Sequence, residues 1–150
     1  MKRIACLPGL FFALTASAEG VVPVDPGLWS VSTKIESEAV DQGTGTLLDS
    51  WTEPYEGAAC LAGETDRRIY PGTFIDTRCQ VSNVRADPYG EAFDLVCTFP
   101  EGLLSGTGTL AVDRTRPTEF RERLTLRGTG TVALQRITIT GTRVGACLAP

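Results

Sequence analysis

The sequence predicts an all-β protein built on a single antiparallel sheet that curls around its own core as a barrel, a half-barrel or a sandwich. Apolar residues recur with a period of two along much of the chain, as they do in half-buried strands. Proline and glycine turn signals interrupt these runs about every 8 to 15 residues. Four cysteines follow the N-terminal segment, an even number that predicts two disulfides in a small exported domain. These observations together indicate about seven or eight strands.

The N-terminal residues 1–18 have the three parts of an export signal. Lys2-Arg3 forms a positively charged start, residues 4–13 are largely apolar, and Ala16-Ser17-Ala18 has the small-residue pattern of a cleavage site. The segment is too short to cross a bilayer as a helix. We therefore expect a signal peptide, followed by a single domain over residues 19–150 that is periplasmic or secreted.

The charge of the predicted mature chain argues against nucleic-acid binding. Removal of the signal leaves 132 residues with 12 basic and 18 acidic side chains, a net charge of −6. Proteins that bind nucleic acids neutralise phosphates with an excess of basic residues. Most of the acids precede residue 102, whereas residues 102–150 carry 7 basic and 3 acidic side chains.

The first strand is predicted to begin at Trp29, where apolar and polar residues alternate as far as Glu36. The same alternation covers residues 93–99 and residues 120–127, although Glu122 occupies an apolar position in the second run. Each of these runs has the pattern of a strand with one buried and one exposed face.

The last predicted strand changes phase part-way along its length. Val132 and Leu134 have even numbers, whereas Ile137 and Ile139 have odd numbers. Because a one-residue slip moves a strand's side chains to the opposite face, the sequence predicts a β-bulge or a bend near Gln135-Arg136.

A tight hairpin in the middle of the chain suggests how the cysteines pair. Asp87-Pro88-Tyr89-Gly90 is a strong type I turn signal, which we expect to join strands at 79–86 and 91–99. That hairpin brings Cys79 opposite Cys97 to within about one or two residues. Of the three possible connectivities, we therefore favour Cys79–Cys97, which leaves Cys60 to pair with Cys147.

Two further patterns have less specific interpretations. Residues 58–69 contain the one candidate helix, although glycines bracket its alanines closely. Gly-Thr-Gly-Thr occurs at residues 43–46, 106–109 and 128–131. A phosphate-binding glycine loop requires a following helix, and strand residues follow here, so we interpret the repeats as strand entries with glycines at bends.

The residue types that the chain lacks argue against an enzyme and against a metal or other cofactor. The sequence contains no histidine, and its one methionine is the initiator, which excludes histidine-based catalysis and most zinc and copper sites. Four-thiolate zinc sites usually contain close cysteine pairs, whereas the spacings here are 19, 18 and 50 residues. We therefore expect disulfides and no metal.

The two ends of the predicted domain carry recognisable motifs. The domain opens with Asp25-Pro26-Gly27-Leu28-Trp29, closes with Val144-Gly145-Ala146-Cys147, and has its other three cysteines between them. Over residues 25–147 this arrangement resembles the family known as domain of unknown function 3617, small exported Gram-negative proteins with four cysteines. Ser30 and Ala62 stand where members often have an acid and a proline. The resemblance implies a periplasmic β-domain and implies no activity.

The most specific surface feature is a run of arginines on one predicted strand. Arg121, Arg123 and Arg127 share a face, and neighbouring segments carry further arginines at positions 114, 116, 136 and 143. Such a face can bind a carboxylate, a phosphate or an anionic headgroup. The alternative is a solvated strand face that is neutralised by acids on adjacent strands.

The aromatic residues offer a second candidate site. A cavity or barrel mouth could be lined by eight rings: Trp29, Trp51, Tyr55, Tyr70, Phe74, Phe93, Phe99 and Phe120. Ordinary core packing is the alternative. We expect a non-enzymatic periplasmic module that binds a small amphipathic or anionic ligand; the alternative is a structural or interaction protein of the cell envelope that binds no small molecule.

Overall fold

A computed structural model of the chain describes residues 22–61, 68–113 and 115–147. The predicted signal peptide lies outside the described residues, as do Arg114 and most of the segment predicted as a helix. Nine strands follow one another along the described chain: β1 (Val22–Pro23), β2 (Gly27–Val40), β3 (Leu47–Leu61), β4 (Arg68–Ile69), β5 (Cys79–Asp87), β6 (Gly90–Phe99), β7 (Gly102–Val112), β8 (Glu119–Gly128) and β9 (Val132–Gly145).

Seven of these strands form one antiparallel sheet in the order β3-β2-β9-β8-β7-β6-β5. Its edge strands β3 and β5 do not pair with each other within the described chain, so the sheet is open and is not a closed barrel. The remaining strands, β1 and β4, form a small separate pair. The predicted all-β class with a single antiparallel sheet is confirmed, and the sheet is not closed into a barrel.

One face of the sheet, here called the inner face, carries the hydrophobic core. Trp29, Phe93 and Leu126 on this face are completely buried, because strand residues two apart point to the same side. A segment before β5 packs over part of the inner face: Ile69 is buried, and the ring of Phe74 stacks on Phe120 with centroids 5.3 Å apart. The opposite, outer face is mainly polar.

The predicted central hairpin and both disulfides are confirmed. Asp87 of β5 pairs with Gly90 of β6, and the register places Cys79 directly opposite Cys97, to which it is bonded. The second disulfide joins Cys60 at the end of β3 to Cys147 just after β9. The two bonds use all four cysteines of the predicted mature chain.

The weak helix prediction for residues 58–69 is wrong at both of its ends. Residues 58–61 are the last residues of β3, where Ala58 and Ala59 pair with Ser30 and Trp29 of β2, and residues 68–69 form β4. Pairing with a long neighbouring strand has overridden the helix propensity of the alanines.

The phase change in β9 is real but lies nearer the start of the strand than predicted. Against β2, Leu134 pairs with Glu38 and Val132 pairs with Ala39, so Ala133 is the extra residue. Leu134 therefore lies on the outer face. Gln135 shares the inner face with Ile137 and donates a hydrogen bond to the Ser37 hydroxyl at 3.2 Å. From Gln135 to Arg143 the register against β2 continues without a shift.

The three Gly-Thr-Gly-Thr repeats have different structural roles. Residues 43–46 lie in the turn between β2 and β3, and residues 128–131 span the turn between β8 and β9. The middle copy lies inside β7 rather than at its start. There the Phe93 ring lies so close to Gly108 that an added Cβ would fall 2.4 Å from it, so the glycine makes room for the core aromatic.

Candidate functional site

The three arginines predicted to bind anions lie together on the outer face of β8. Arg121, Arg123 and Arg127 are all exposed, and they alternate with buried inner-face residues of the same strand. Side chains two positions apart along a strand lie about 7 Å apart. We call this row of guanidinium groups the arginine ladder.

The residues opposite the arginine ladder carry no charge. From Arg121 to Arg127, strands β7 and β9 flank the ladder with three uncharged pairs: Ala111 and Thr140, Thr109 and Thr138, and Ser105 and Leu134. Glu119 precedes the ladder on the same face of β8. Among the described residues none of the three arginines forms a salt bridge. The ladder thus combines positive charge with neighbouring hydroxyl groups.

The other arginines that the sequence placed near the ladder have different surroundings. Arg136 on β9 forms a salt bridge with Glu38 at 2.8 Å, and Arg143 donates a hydrogen bond to the Pro26 carbonyl at 2.6 Å. Arg116 lies in the loop after β7. The site on the outer face therefore consists of the three ladder residues.

The eight aromatic residues do not form one pocket. Five of them belong to the core or pack against it: Trp29, Phe74, Phe93, Phe99 and Phe120. Tyr70 is exposed in the segment before β5. Trp51 and Tyr55 point to the inner-face side of β3, because they pair with Ser37 and Thr33 of β2. Core packing therefore accounts for most of the set.

A separate apolar cavity of about 220 Å³ lies at one end of the sheet. It is formed where the turn between β6 and β7 meets the turn between β8 and β9. Phe99, Leu103, Leu104 and Val132 supply apolar lining, and Glu101, Thr131 and Gln135 are the polar side chains at its border. Arg127 lies near this end of β8, opposite Ser105 of β7.

The inner face contains one acid, Glu122, in an otherwise apolar environment. Its side chain is completely buried, and its register partners on β7 and β9 are Leu110 and Ile139. The backbone N–H of Gly72 donates a hydrogen bond to Glu122 Oε1 at 2.8 Å. The other oxygen, Oε2, is buried and has no hydrogen-bond partner among the described residues.

Burial changes the protonation of this acid. Loss of solvation raises the pKa of Glu122 to about 7, against a smaller opposing effect of the Gly72 hydrogen bond, which favours the charged form. Glu122 therefore keeps its proton in the folded chain at pH values where an exposed glutamate is charged. A buried carboxyl with an unpaired oxygen destabilises the fold once it is charged.

The comparison with known protein families agrees with the motifs at both ends of the domain. Residues 24–147 match the family described as "Protein of unknown function (DUF3617)". The chain belongs to the DUF3617 family. The match includes both disulfides, the arginine ladder and Glu122, and the family description assigns no activity. The chain matches no curated protein and no solved structure.

In this DUF3617 domain, the described residues contain no cluster of cysteine, aspartate or glutamate side chains placed to hold a metal ion. The same part of the chain has no helix with the length and apolar character needed to span a membrane. The pairing of Cys60 with Cys147 and of Cys79 with Cys97 favours the disulfide interpretation over the four-thiolate zinc site.

Sequence reasoning placed Glu122 on the apolar side of its strand but assigned it no role. The signal was present, since an acid in an alternating apolar run points toward the core. Its neighbour Gly72 lies fifty positions earlier in the chain, and no local pattern links the two residues. The candidate site residues of this DUF3617 domain are therefore the outer arginine ladder and the buried inner acid.

Proposed function

We propose that this DUF3617 domain is a non-enzymatic binding module that holds a small amphipathic ligand with an anionic group. The observation that carries the proposal is the arginine ladder, in which three exposed guanidinium groups face uncharged neighbours. Arginine binds carboxylates and phosphates through paired hydrogen bonds. The hydroxyls of Thr109 and Thr138 lie beside Arg123 and supply further donors for an oxyanion.

The cavity at the end of the sheet supports the amphipathic part of the proposal. Its volume of about 220 Å³ is below the roughly 300 Å³ at which pockets for whole drug-sized ligands begin. It therefore has room for a small apolar group only. Arg127 is the ladder residue nearest that end of the sheet, and it lies on the outer face, whereas Leu104 and Gln135 of the cavity lie on the inner face. A ligand with its anionic group at Arg127 would therefore have to pass around the turn between β8 and β9 for its apolar part to enter the cavity.

The proposal also includes export, with removal of residues 1–18. The signal pattern supports it, and two disulfides suit an oxidising compartment outside the cytoplasm. Intact-mass measurement of protein recovered from the extracytoplasmic fraction is expected to show a chain that begins at Glu19 and lacks the four hydrogens of the paired thiols. A retained N-terminal segment or a lipidated mass would contradict export by this signal.

The ladder is tested by replacing Arg121, Arg123 and Arg127 together with glutamine. Octyl phosphate, used below its micelle-forming concentration, serves as the amphipathic anion, and binding is measured by calorimetry. We expect the triple variant to bind about tenfold more weakly or worse, because three charge-assisted contacts are lost. Wild-type affinity should fall as salt increases, since exposed charges are screened.

A matched control removes the same charge elsewhere, by replacing Lys34, Arg85 and Arg116 with glutamine. These side chains are exposed; Lys34 and Arg85 lie on β2 and β5, and Arg116 lies in the loop before β8. Both triple variants should fold, because exposed charges contribute under about 1 kcal/mol each. Equal octyl phosphate binding by the wild type and both variants would show that the ladder is only a solvated strand face.

A further inference from the structure

The edge strand β3 is exposed to an unusual degree. It has 15 residues, and within the described chain it pairs with β2 alone. Most of its residues are exposed on both faces, including Leu48 at 65% and Tyr55 at 53%. Long exposed edge strands are templates for pairing with another chain, so natural proteins normally cover or shorten them.

The side chains of β3 give this edge a distinct chemistry. On the inner-face side, acids and aromatic rings alternate at Asp49, Trp51, Glu53 and Tyr55. Glu56 adds a third acid on the outer side. Among the described residues these three acids form no salt bridge; Glu53 accepts a hydrogen bond from the Tyr55 hydroxyl at 3.4 Å. The edge is therefore negatively charged and aromatic.

The same residues act against pairing between two copies of this chain. Two β3 strands placed edge to edge would bring acids close to acids, and like charges on paired strands destabilise a sheet. Pro54 lies near the middle of β3 and removes one donor from this edge for any added strand, so the side-chain charges decide which strand is preferred. The acids of β3 would attract a strand with basic side chains. The edge should therefore bind a basic strand more tightly than a second copy of β3, and such a difference in affinity is what makes binding specific.

We propose that β3 is a docking strand for an extended, positively charged segment of a partner polypeptide, which adds to the sheet beside β3. Backbone hydrogen bonds along the open edge would supply affinity, as in other cases of strand addition. Lysine or arginine side chains of the partner would lie against Trp51 and Tyr55 as cation–π contacts, with Asp49 and Glu53 beside them.

A polypeptide fits these observations better than a small cation does. A small cation would contact one aromatic ring and one or two acids on a single face of β3. The exposed edge instead extends over 15 residues, and the regular spacing of its N–H and C=O groups is matched along that length by another extended backbone. The docking strand lies at the opposite side of the described sheet from β5, and β2 and β9 separate it from the arginine ladder.

The test uses the whole domain and a soluble peptide of about ten residues in which lysine and valine alternate, a pattern suited to a strand. Binding is followed by the backbone amide signals of the domain in nuclear magnetic resonance. We expect saturable binding with shifts concentrated in β3. A glutamate–valine peptide and a lysine–valine peptide with N-methylated backbone should each bind at least tenfold more weakly.

Two variants of the domain give the test its specificity. The double variant Asp49→Asn with Glu53→Gln should bind the lysine–valine peptide at least tenfold more weakly than the wild type does. The double variant Glu101→Gln with Glu119→Gln removes the same charge elsewhere and should leave the affinity for the peptide unchanged. Binding of arginine amide as tightly as the peptide would identify a small-cation site and overturn the proposal. Absence of saturable binding at millimolar peptide, or shifts outside β3, would also overturn it. Neither result bears on octyl phosphate binding at the ladder.

Discussion

Replacing Cys60 and Cys147 together with alanine is expected to lower the free energy of unfolding by between about 4 and 5 kcal/mol. The two cysteines are separated by 87 positions in the chain, and a crosslink that closes so long a loop removes many conformations of the unfolded chain. Chemical denaturation without reductant measures the effect. The loss is large compared with the total stability of an ordinary domain.

The position of this disulfide predicts which strand loses stability first when the bond is removed. Cys60 ends β3, the strand with few buried side chains, so without the bond β3 has little beyond its pairing with β2 to hold it. Hydrogen exchange should accelerate in β3 before it does in β7 or β8, which carry the core. A loss of stability under about 1 kcal/mol, with unchanged exchange in β3, would contradict this account.

The second large effect expected is a fall in stability as pH rises, caused by Glu122. The folded chain holds the Glu122 proton up to about pH 7, whereas the unfolded chain releases it near 4.5. The stabilisation is therefore complete below pH 4.5 and is lost as pH rises through 7. A difference of this size corresponds to about 3 kcal/mol. Urea denaturation across pH 4 to 8 measures it.

Glu122→Gln should remove this pH dependence and make the domain more stable than wild type above pH 7, because the amide stays neutral. The matched control is Glu119→Gln, an exposed position on the same strand, which should retain the wild-type slope. Asp76, whose pKa is lowered to about 2 by hydrogen bonds from Arg78, contributes only at lower pH. Persistence of the slope in Glu122→Gln would show that another group causes it.

Local signals in the sequence were sufficient for the hairpin and its disulfide. A two-residue turn fixes the register of the strands next to it, so the turn at Asp87–Gly90 was enough to bring Cys79 within one residue of Cys97. A register shift between Ser82 and Arg85, which the sequence did not indicate, makes the two cysteines direct partners. Alternation along β8 likewise placed Arg123 outside and Glu122 inside, because strand side chains alternate between faces.

Long-range features could not be predicted in this way. The pairing of β2 with β9 brings together strands about a hundred residues apart, and periodicity does not say which strands are neighbours. The neutral partners of Arg123 lie on the consecutive strands β7 and β9, but the connections from β7 to β8 and from β8 to β9 are longer than two residues, so no tight turn fixed their registers in advance. Because β3 is exposed on both faces, its sequence lacks clean apolar–polar alternation, and its alanine-rich end therefore has the local pattern of a helix.

The pairing of β2 with β9 also determines when the chain can finish folding. One neighbour of β2 in the sheet, β3, follows it directly in the sequence, but its other neighbour, β9, is the last strand of the described chain. During synthesis from the N-terminus, this second edge of β2 stays unpaired until residues 132–145 have been made. Pairing between strands so far apart in the chain is slow, and an unpaired strand edge is a template for aggregation in the meantime. The last strand of the described sheet therefore sets the time at which the β2 edge stops being available to other chains.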